Sequence, residues 1–159
     1  MENIDNTDIN LLKLLQENSN ITTKELAQKV NLSSTPVFER VKQLEKKGYI
    51  KKYMAVLDEE KLNRGFIVFC NIKLKQHSKT YGQGFMKAIL TIDEIVECYN
   101  ISGEFDFMLK IYVRDMKEYQ DFVLNRLGII DSIGSLQSIF VMAETKHNYG
   151  IPILEQTKE

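Results

Sequence analysis

The stretch Thr22-Thr23-Lys24-Glu25-Leu26-Ala27-Gln28-Lys29-Val30-Asn31-Leu32-Ser33-Ser34-Thr35-Pro36-Val37-Phe38-Glu39-Arg40-Val41-Lys42-Gln43-Leu44-Glu45-Lys46-Lys47-Gly48 holds two helical periods separated by a short turn. Thr22 to Glu25 is a capping box: the Thr22 hydroxyl can accept from the third backbone N–H, and Glu25 can reach back to the cap. The helix it opens buries Leu26, Ala27 and Val30 and stops at Asn31. Asn31-Leu32-Ser33 then leads straight into a longer helix, from about Ser34 to Lys47. Pro36 is tolerated there because first-turn N–H groups have no intrahelical partner. Gly48 stands where a C-terminal cap belongs. A helix, a tight turn and a second helix with a polar N-terminal half form a helix-turn-helix, whose second member enters the major groove.

Upstream, a first helix runs from about Asp8 to Asn18, with Leu11, Leu12 and Leu15 as its buried stripe. Downstream, Tyr49 to Leu57 is extended and partly alternating, which suits a wing or a connecting strand. Asp58 to Gly65 is polar and charged and reads as a linker. The domain spans are therefore 1–57, a linker 58–65, and 66–159.

Beyond the linker the period changes. The order is strand (Phe66–Lys75), helix (about Thr80–Leu90), strand (Ile95–Ser102), strand (Phe105–Arg114), helix (Met116–Leu127), strand (about Ser135–Lys146). One helix carries the stripe Tyr81, Phe85, Ala88, Ile89 and Ile92, the other Met116, Tyr119, Phe122, Val123 and Leu127. That βαββαβ order is ferredoxin-like, so the fold class is α+β: a helix-turn-helix head followed by a ferredoxin-like domain. Apolar residues also occupy the second face of the sheet, as Ile67 and Phe69 do in the first strand and Ile139, Val141 and Ala143 in the last. Two helices cover one face only, so a second copy of the sheet is expected over the other, giving an obligate dimer.

The chain of 159 residues has a net charge of −1, which by itself argues against a nucleic-acid footprint. The total averages opposed regions. Residues 21–57 carry seven Lys and Arg40 against Glu25, Glu39 and Glu45, a net +5, while residues 1–20 are −3, 58–65 are −1 and the remainder −2. The basic excess falls where phosphates would sit. At ~100° per residue, Val37, Val41 and Leu44 share the inner side of the longer helix. Ser34 opens that helix; Thr35, Glu39, Lys42, Gln43 and Lys46 point away from the inner side, with Phe38 and Arg40 at the margins. Gln and Lys can hydrogen-bond base edges, Thr can meet thymine methyls, and the helix N-terminus can hold a phosphate. The same face also suits a solvated surface on a structural helical head.

Ser102-Gly103-Glu104-Phe105-Asp106 lies between two strands. Gly103 can take positive φ, letting successive backbone N–H groups hold a carboxylate, and Asp106 can pair with an ammonium. That pairing suits a free α-amino acid, although Ser-Gly is equally a common hairpin turn.

Other chemistry finds little support. His77 and His147 lie in polar segments as surface histidines, with no metal-ligand spacing, and no phosphate-cradling glycine loop follows a strand. No cofactor and no catalytic residue is expected. Cys70 and Cys98 sit alone in apolar segments and read as buried, reduced thiols, which suits a cytoplasmic location. The longest apolar run, Phe66 to Cys70, is far short of the ~20 residues of a membrane span, and the acidic start Met1-Glu2-Asn3-Ile4-Asp5 is unlike a secretory leader.

Three runs together resemble the Lrp/AsnC (feast/famine) family of transcription regulators: Leu32 to Ile50, Glu97 to Lys110, and Val141-Met142-Ala143-Glu144-Thr145-Lys146. The resemblance extends from Ile4-Asp5 to Lys146. It implies a regulator that binds double-stranded DNA through a winged helix-turn-helix, joined to a C-terminal αβ-sandwich, the effector-binding and oligomerisation domain, that dimerises through its sheet and assembles further, often into octamers. It implies an amino-acid effector between dimers, with Ser102, Gly103, Glu104 and Phe105 around the α-carboxylate and Asp106 on the ammonium. Ile139, Phe140 and Val141 would shape the side-chain pocket. Glu104 replaces the Asp common in the family, and Tyr99 and Phe140 add bulk. Two other readings share this architecture: a siroheme-decarboxylase-like enzyme, and a ligand-sensing partner without DNA binding.

Overall fold

The computed structural model describes residues 4–153. Met1 to Asn3 and residues 154–159, part of the spans 1–57 and 66–159, lie outside the described residues. The elements are α1 (Asn6–Glu17), α2 (Thr23–Lys29), α3 (Ser34–Lys46), β1 (Phe66–Leu74), α4 (Lys79–Ile89), β2 (Ile95–Asn100), β3 (Phe107–Val113), α5 (Met116–Phe122) and β4 (Ile133–Phe140). They form two compact units, one of the chain up to Val56 with the stretch from Lys146, the other of Leu57–Thr145.

In the first unit α1 begins earlier than its apolar stripe suggests. Asp5 Oδ1 accepts from the Asp8 N–H at 2.8 Å, and the Asp5 N–H donates back to Asp8 Oδ2 at 3.4 Å. This capping box uses aspartate at both ends. The Thr22–Glu25 box forms as the sequence indicates, with Thr22 N–H donating to Glu25 Oε2 at 2.9 Å. Both α2 and α3 end in a left-handed residue. Asn31 has φ +53° and Gly48 φ +78°. The next N–H then folds back in each case, Leu32 to the Ala27 carbonyl and Tyr49 to the Leu44 carbonyl. These caps set the angle at which α2 and α3 close over Leu11, Leu26, Ala27, Val37 and Leu44. Leu12, Leu15, Val30 and Val41 pack beside that core, partly buried.

Two expectations fail in this unit. Tyr49 to Leu57 forms no strand. An alternating stretch becomes a strand only against a partner edge; from its middle, Tyr53 Oη donates to Glu45 Oε1 at 2.9 Å. The tail from Lys146, read with the second domain, returns to the first unit. There Gln16 Nε2 donates to the Ile151 carbonyl at 2.9 Å, and the Ile151 N–H donates to Gln16 Oε1 at 3.0 Å. A side-chain amide offers donor and acceptor side by side, so it pairs with backbone as a strand edge would.

The second unit has the βαββαβ order, with an antiparallel sheet β2-β3-β1-β4. Its linker is ordered: Arg64 N–H donates to the Glu59 carbonyl at 2.8 Å, and the Arg64 guanidinium reaches Glu118 at 3.0 Å. Strands are shorter than the sequence suggests, most of all β4, which stops at Phe140 rather than Lys146. Val141 makes one further bond, its N–H to the Ile67 carbonyl at 3.2 Å. α5 passes into a π-helical turn, Val123–Leu127, with Gly128 N–H on the Val123 carbonyl at 2.8 Å. That wider turn keeps Leu127 on the buried side with Phe122. Both helices pack on one sheet face, over Val68, Cys70, Ile72, Leu109, Ile111 and Val113. Met116 and Cys98, read as buried, are exposed. Met116 is the first residue of its helix and Cys98 lies on an edge strand.

The register fixes the other face. Ile67 pairs with Tyr112, Phe69 with Lys110 and Ile139, and Asn71 with Met108 and Gln137. Neither helix packs there. Ile67 is buried and Ile139 and Tyr99 are exposed.

Candidate nucleic-acid interface and effector loop

Helix α3 follows Ser33, whose backbone is extended and whose hydroxyl makes no cap hydrogen bond. Its first N–H groups therefore retain their capacity for an anion. Val37 and Leu44 seal the inner side. Ser34, Thr35, Phe38, Glu39, Lys42, Gln43 and Lys46 are all exposed. Phe38 at 47% is a large apolar side chain on a polar face, which suits a thymine methyl better than water. Lys42 Nζ lies 5.8 Å from the centre of its ring and 2.7 Å from Glu45 Oε2. Lys42 first, and then Tyr53, hold the Glu45 carboxyl below its ordinary range. An exposed pair of this kind contributes only ~0.2–1 kcal/mol, so a phosphate can compete for Lys42.

Arg40 departs from the expected set. Its Nη1 lies 2.7 Å from Asp5 Oδ2 and 2.8 Å from Asp8 Oδ1. The Asp8 hydrogen bond, followed by that of Asp5, raises the guanidinium above its ordinary range. Burial acts to raise the Asp5 carboxyl, but the Asp8 N–H and Arg40 outweigh it and hold the group low. Arg40 thus ties α3 to the α1 cap instead of facing outward.

The second expected site divides in the structure. Gly103 has φ +113°, as a loop that turns its N–H groups inward requires, and a Cβ there would meet no neighbour. Ser102, Gly103 and Glu104 are exposed, Phe105 partly buried. The loop is closed by the Ile101 N–H on the Asp106 carbonyl at 3.0 Å and by Asn100 Nδ2 on the same oxygen at 2.8 Å. The Asp106 N–H donates to the Ile72 carbonyl at 2.9 Å. Its side chain is already engaged: Oδ2 accepts from the Leu74 N–H at 2.8 Å, and Oδ1 lies 3.0 Å from His77 Nδ1. His77, read as a lone surface histidine, belongs to this cluster. Nothing local in Gln76-His77-Ser78 signals that; only the β1–β3 register brings it to Asp106.

Ile139, Phe140 and Val141 are not beside this loop. Ile139 pairs with Phe69, while Phe107 pairs with Ile72 further along β1. With ~3.3 Å per residue and ~4.8 Å per strand, the two groups stand roughly 14 Å apart within one chain. The trio also splits by face. Phe140 points to the helix side, edge-on to Tyr119 at 5.5 Å and 5.9 Å from Phe66. Ile139 pairs with Phe69 on the uncovered side, and Val141 follows there.

A hollow of about 350 Å³ lined by Asn18, Ile21, Glu25, Gln28 and Lys29 lies on the first unit and uses none of these residues. Among the described residues no group of three His, Cys, Asp or Glu is placed to hold a metal. No helix among them is long and apolar enough to cross a membrane.

Two family profiles match this chain: a winged helix-turn-helix DNA-binding profile over residues 4–51, and an Lrp/AsnC ligand binding domain over residues 67–151. A leucine-responsive regulatory protein of Haemophilus influenzae is 38% identical over 143 residues, covering 90% of this chain and 86% of its own. A Bkd operon transcriptional regulator of Pseudomonas aeruginosa is 34% identical over 142 residues, 89% of this chain and 93% of its own. Among solved structures, a transcriptional regulator of Neisseria meningitidis in complex with L-Met superposes with a TM-score of 0.91 at 34% identity, over 94% of this chain and 97% of that one. These relatives are transcription regulators, not enzymes.

Proposed function

The chain belongs to the Lrp/AsnC family of transcription regulators, and from that premise we propose that α3 reads DNA in the major groove while the sheet unit senses a free amino acid. The observation that carries the DNA half is the outward face of α3, with Thr35, Phe38, Lys42, Gln43 and Lys46 exposed on a buried apolar back. Lys42 and Lys46 supply phosphate affinity, while Thr35, Phe38 and Gln43 face base edges. The net +5 of residues 21–57 supports the same side of the unit. The siroheme-decarboxylase alternative is not favoured, since the relatives named are regulators.

For the effector, the Ser102–Phe105 loop receives the α-carboxylate on backbone N–H groups, and Asp106 receives the ammonium. Ile139 and Val141 join this site from another copy, because within one chain they lie too far from the loop. The uncovered sheet face, with Phe69, Tyr99 and Ile139, supports a dimer, and dimers of this kind assemble further into an octamer. A regulator that binds DNA fits a cytoplasmic location. An amino acid regulates only through unequal affinity for two assemblies or DNA-bound states.

Fluorescence anisotropy on DNA upstream of the protein's own coding region, titrated with salt, tests the first half. A steep loss of affinity with salt is expected, and absence of any binding at low salt defeats the reading. A thermal-shift screen of the twenty amino acids, beginning with L-leucine and L-methionine, tests the second. A ligand bound only by the native state raises the melting temperature by mass action, so a flat screen counts against an amino-acid effector.

A further inference from the structure

Asp106 is held on every side. Its N–H and carbonyl are tied to Ile72, Ile101 and Asn100, and Leu74 occupies one carboxylate oxygen. The other oxygen faces His77 Nδ1 at 3.0 Å. The Asp106 side chain is only 14% exposed, whereas that of His77 is 76% exposed. The carboxylate cannot move to meet a second cation, and little of its surface is left over. His77 can swing into water at small cost.

We propose that His77 gates the effector site: its protonated imidazole holds the place on Asp106 that an amino acid's ammonium takes, so effector binding strengthens as His77 loses its proton. The inference rests on the reading of Asp106 as the ammonium partner. Two cations on one carboxylate oxygen repel each other, so imidazolium and ammonium exclude one another. A neutral imidazole gives up its hydrogen bond readily. Histidine is the side chain whose charge ordinarily changes between pH 5 and 8. Other charged residues lie on its own segment, in the loop that leads to Asp106, and beside Lys75. Lys75 and Lys79 flank it on its own segment, Glu104 lies in the loop, and Asp131, before β4, bonds Lys75 at 2.7 Å. Of that set it is the imidazole that directly meets the Asp106 carboxylate. The consequence is regulatory: acidification weakens the response to the amino acid without any change in its concentration.

Isothermal titration of the full-length protein with L-methionine and with L-leucine between pH 5.5 and 8 tests this. Wild type is expected to bind more tightly as pH rises, by up to tenfold per pH unit at the acid end. His77→Gln should bind at pH 5.5 as tightly as wild type does at pH 8, with a flat profile. A His77→Gln protein that keeps the wild-type profile, or binds more weakly at every pH, overturns the gate while leaving the effector site standing. Asp106→Asn separates the two levels. Lost binding in a protein that still binds DNA agrees with the ammonium reading, and undiminished binding overturns that reading and the gate with it. Failure of wild type to bind any of the twenty amino acids at pH 8 does the same.

Discussion

The Arg40 guanidinium meets the Asp5 carboxylate at 2.7 Å, and this contact fastens α3 to the N-terminal cap of α1. Asp8, the other half of the α1 cap, adds a second bond at 2.8 Å. The residue thus serves the unit's internal geometry. Arg40→Met should lower the stability of the first unit by ~1 kcal/mol, a charged hydrogen-bond contribution reduced by partial exposure. The slope of log affinity against log salt should stay unchanged. Thermal unfolding and a salt titration on the same variant check both, and a shallower slope would mean that Arg40 touches phosphate after all.

Lys42 and Lys46 should behave in the opposite way. Each phosphate contact removed reduces the salt slope by about 0.9, so Lys42→Ala with Lys46→Ala should flatten it by nearly two. Stability should change little, since both side chains are exposed. Glu45→Gln frees Lys42 from its 2.7 Å partner and should tighten DNA binding modestly. Anisotropy across a salt series reads both variants; an unaltered slope in the double variant removes this face from the interface.

What could be read from the chain was local. The Thr22–Glu25 box, the Gly48 cap and the stripes of Phe85 with Ile89 and of Val37 with Leu44 involve neighbours in sequence, and each forms. The Asp5–Asp8 box is equally local but departs from the usual Ser/Thr and Glu/Gln types. The features that escaped are pairings across long separations. Arg40 finds Asp5 only once α1 and α3 pack, and His77 finds Asp106 only through strand register. Strand lengths escaped for a related reason: β4 ends at Phe140, and Met142 to Lys146 enter no strand among the described residues. Residues expected at one effector pocket lie at two places in the single chain, because spacing along a chain does not say which strand positions the register brings together.

Glu118 carries a pH prediction. It accepts from the Arg114 N–H at 2.6 Å and meets Arg64 at 3.0 Å. The Arg114 N–H first, and then Arg64 against a burial cost, hold its carboxyl below its ordinary value. A depressed carboxyl favours the folded state fully above its unfolded pKa, and the effect fades as pH falls through the folded value. The second unit should therefore lose stability on acidification below about pH 4.5. Glu118→Gln should be less stable at pH 7 by ~1–2 kcal/mol and show a weaker decline in acid. Urea unfolding from pH 3 to 7 measures it, and parallel pH curves for the two proteins would rule the carboxylate out as the source.

The uncovered sheet face gives the sharpest test of assembly. Phe69 and Ile139 lie opposite one another in the register, flanked by Lys110 and Gln137, and Ile139 is 46% exposed in the single chain. A second sheet laid over this face would bury Ile139, and since Glu97 already faces Lys110, a further ammonium there would add an unmatched charge. Ile139→Lys leaves the helix-side core untouched, because its side chain stands on the other face. In a dimer the new ammonium would be stripped of water without a partner, a cost that exceeds what the contact supplies. Sedimentation velocity should find wild type as a dimer or larger and the variant as a folded monomer. The monomer should also lose its amino-acid response, since the loop around Gly103 would lack the wall that another copy provides. An Ile139→Lys protein that sediments as wild type does would place the interface elsewhere.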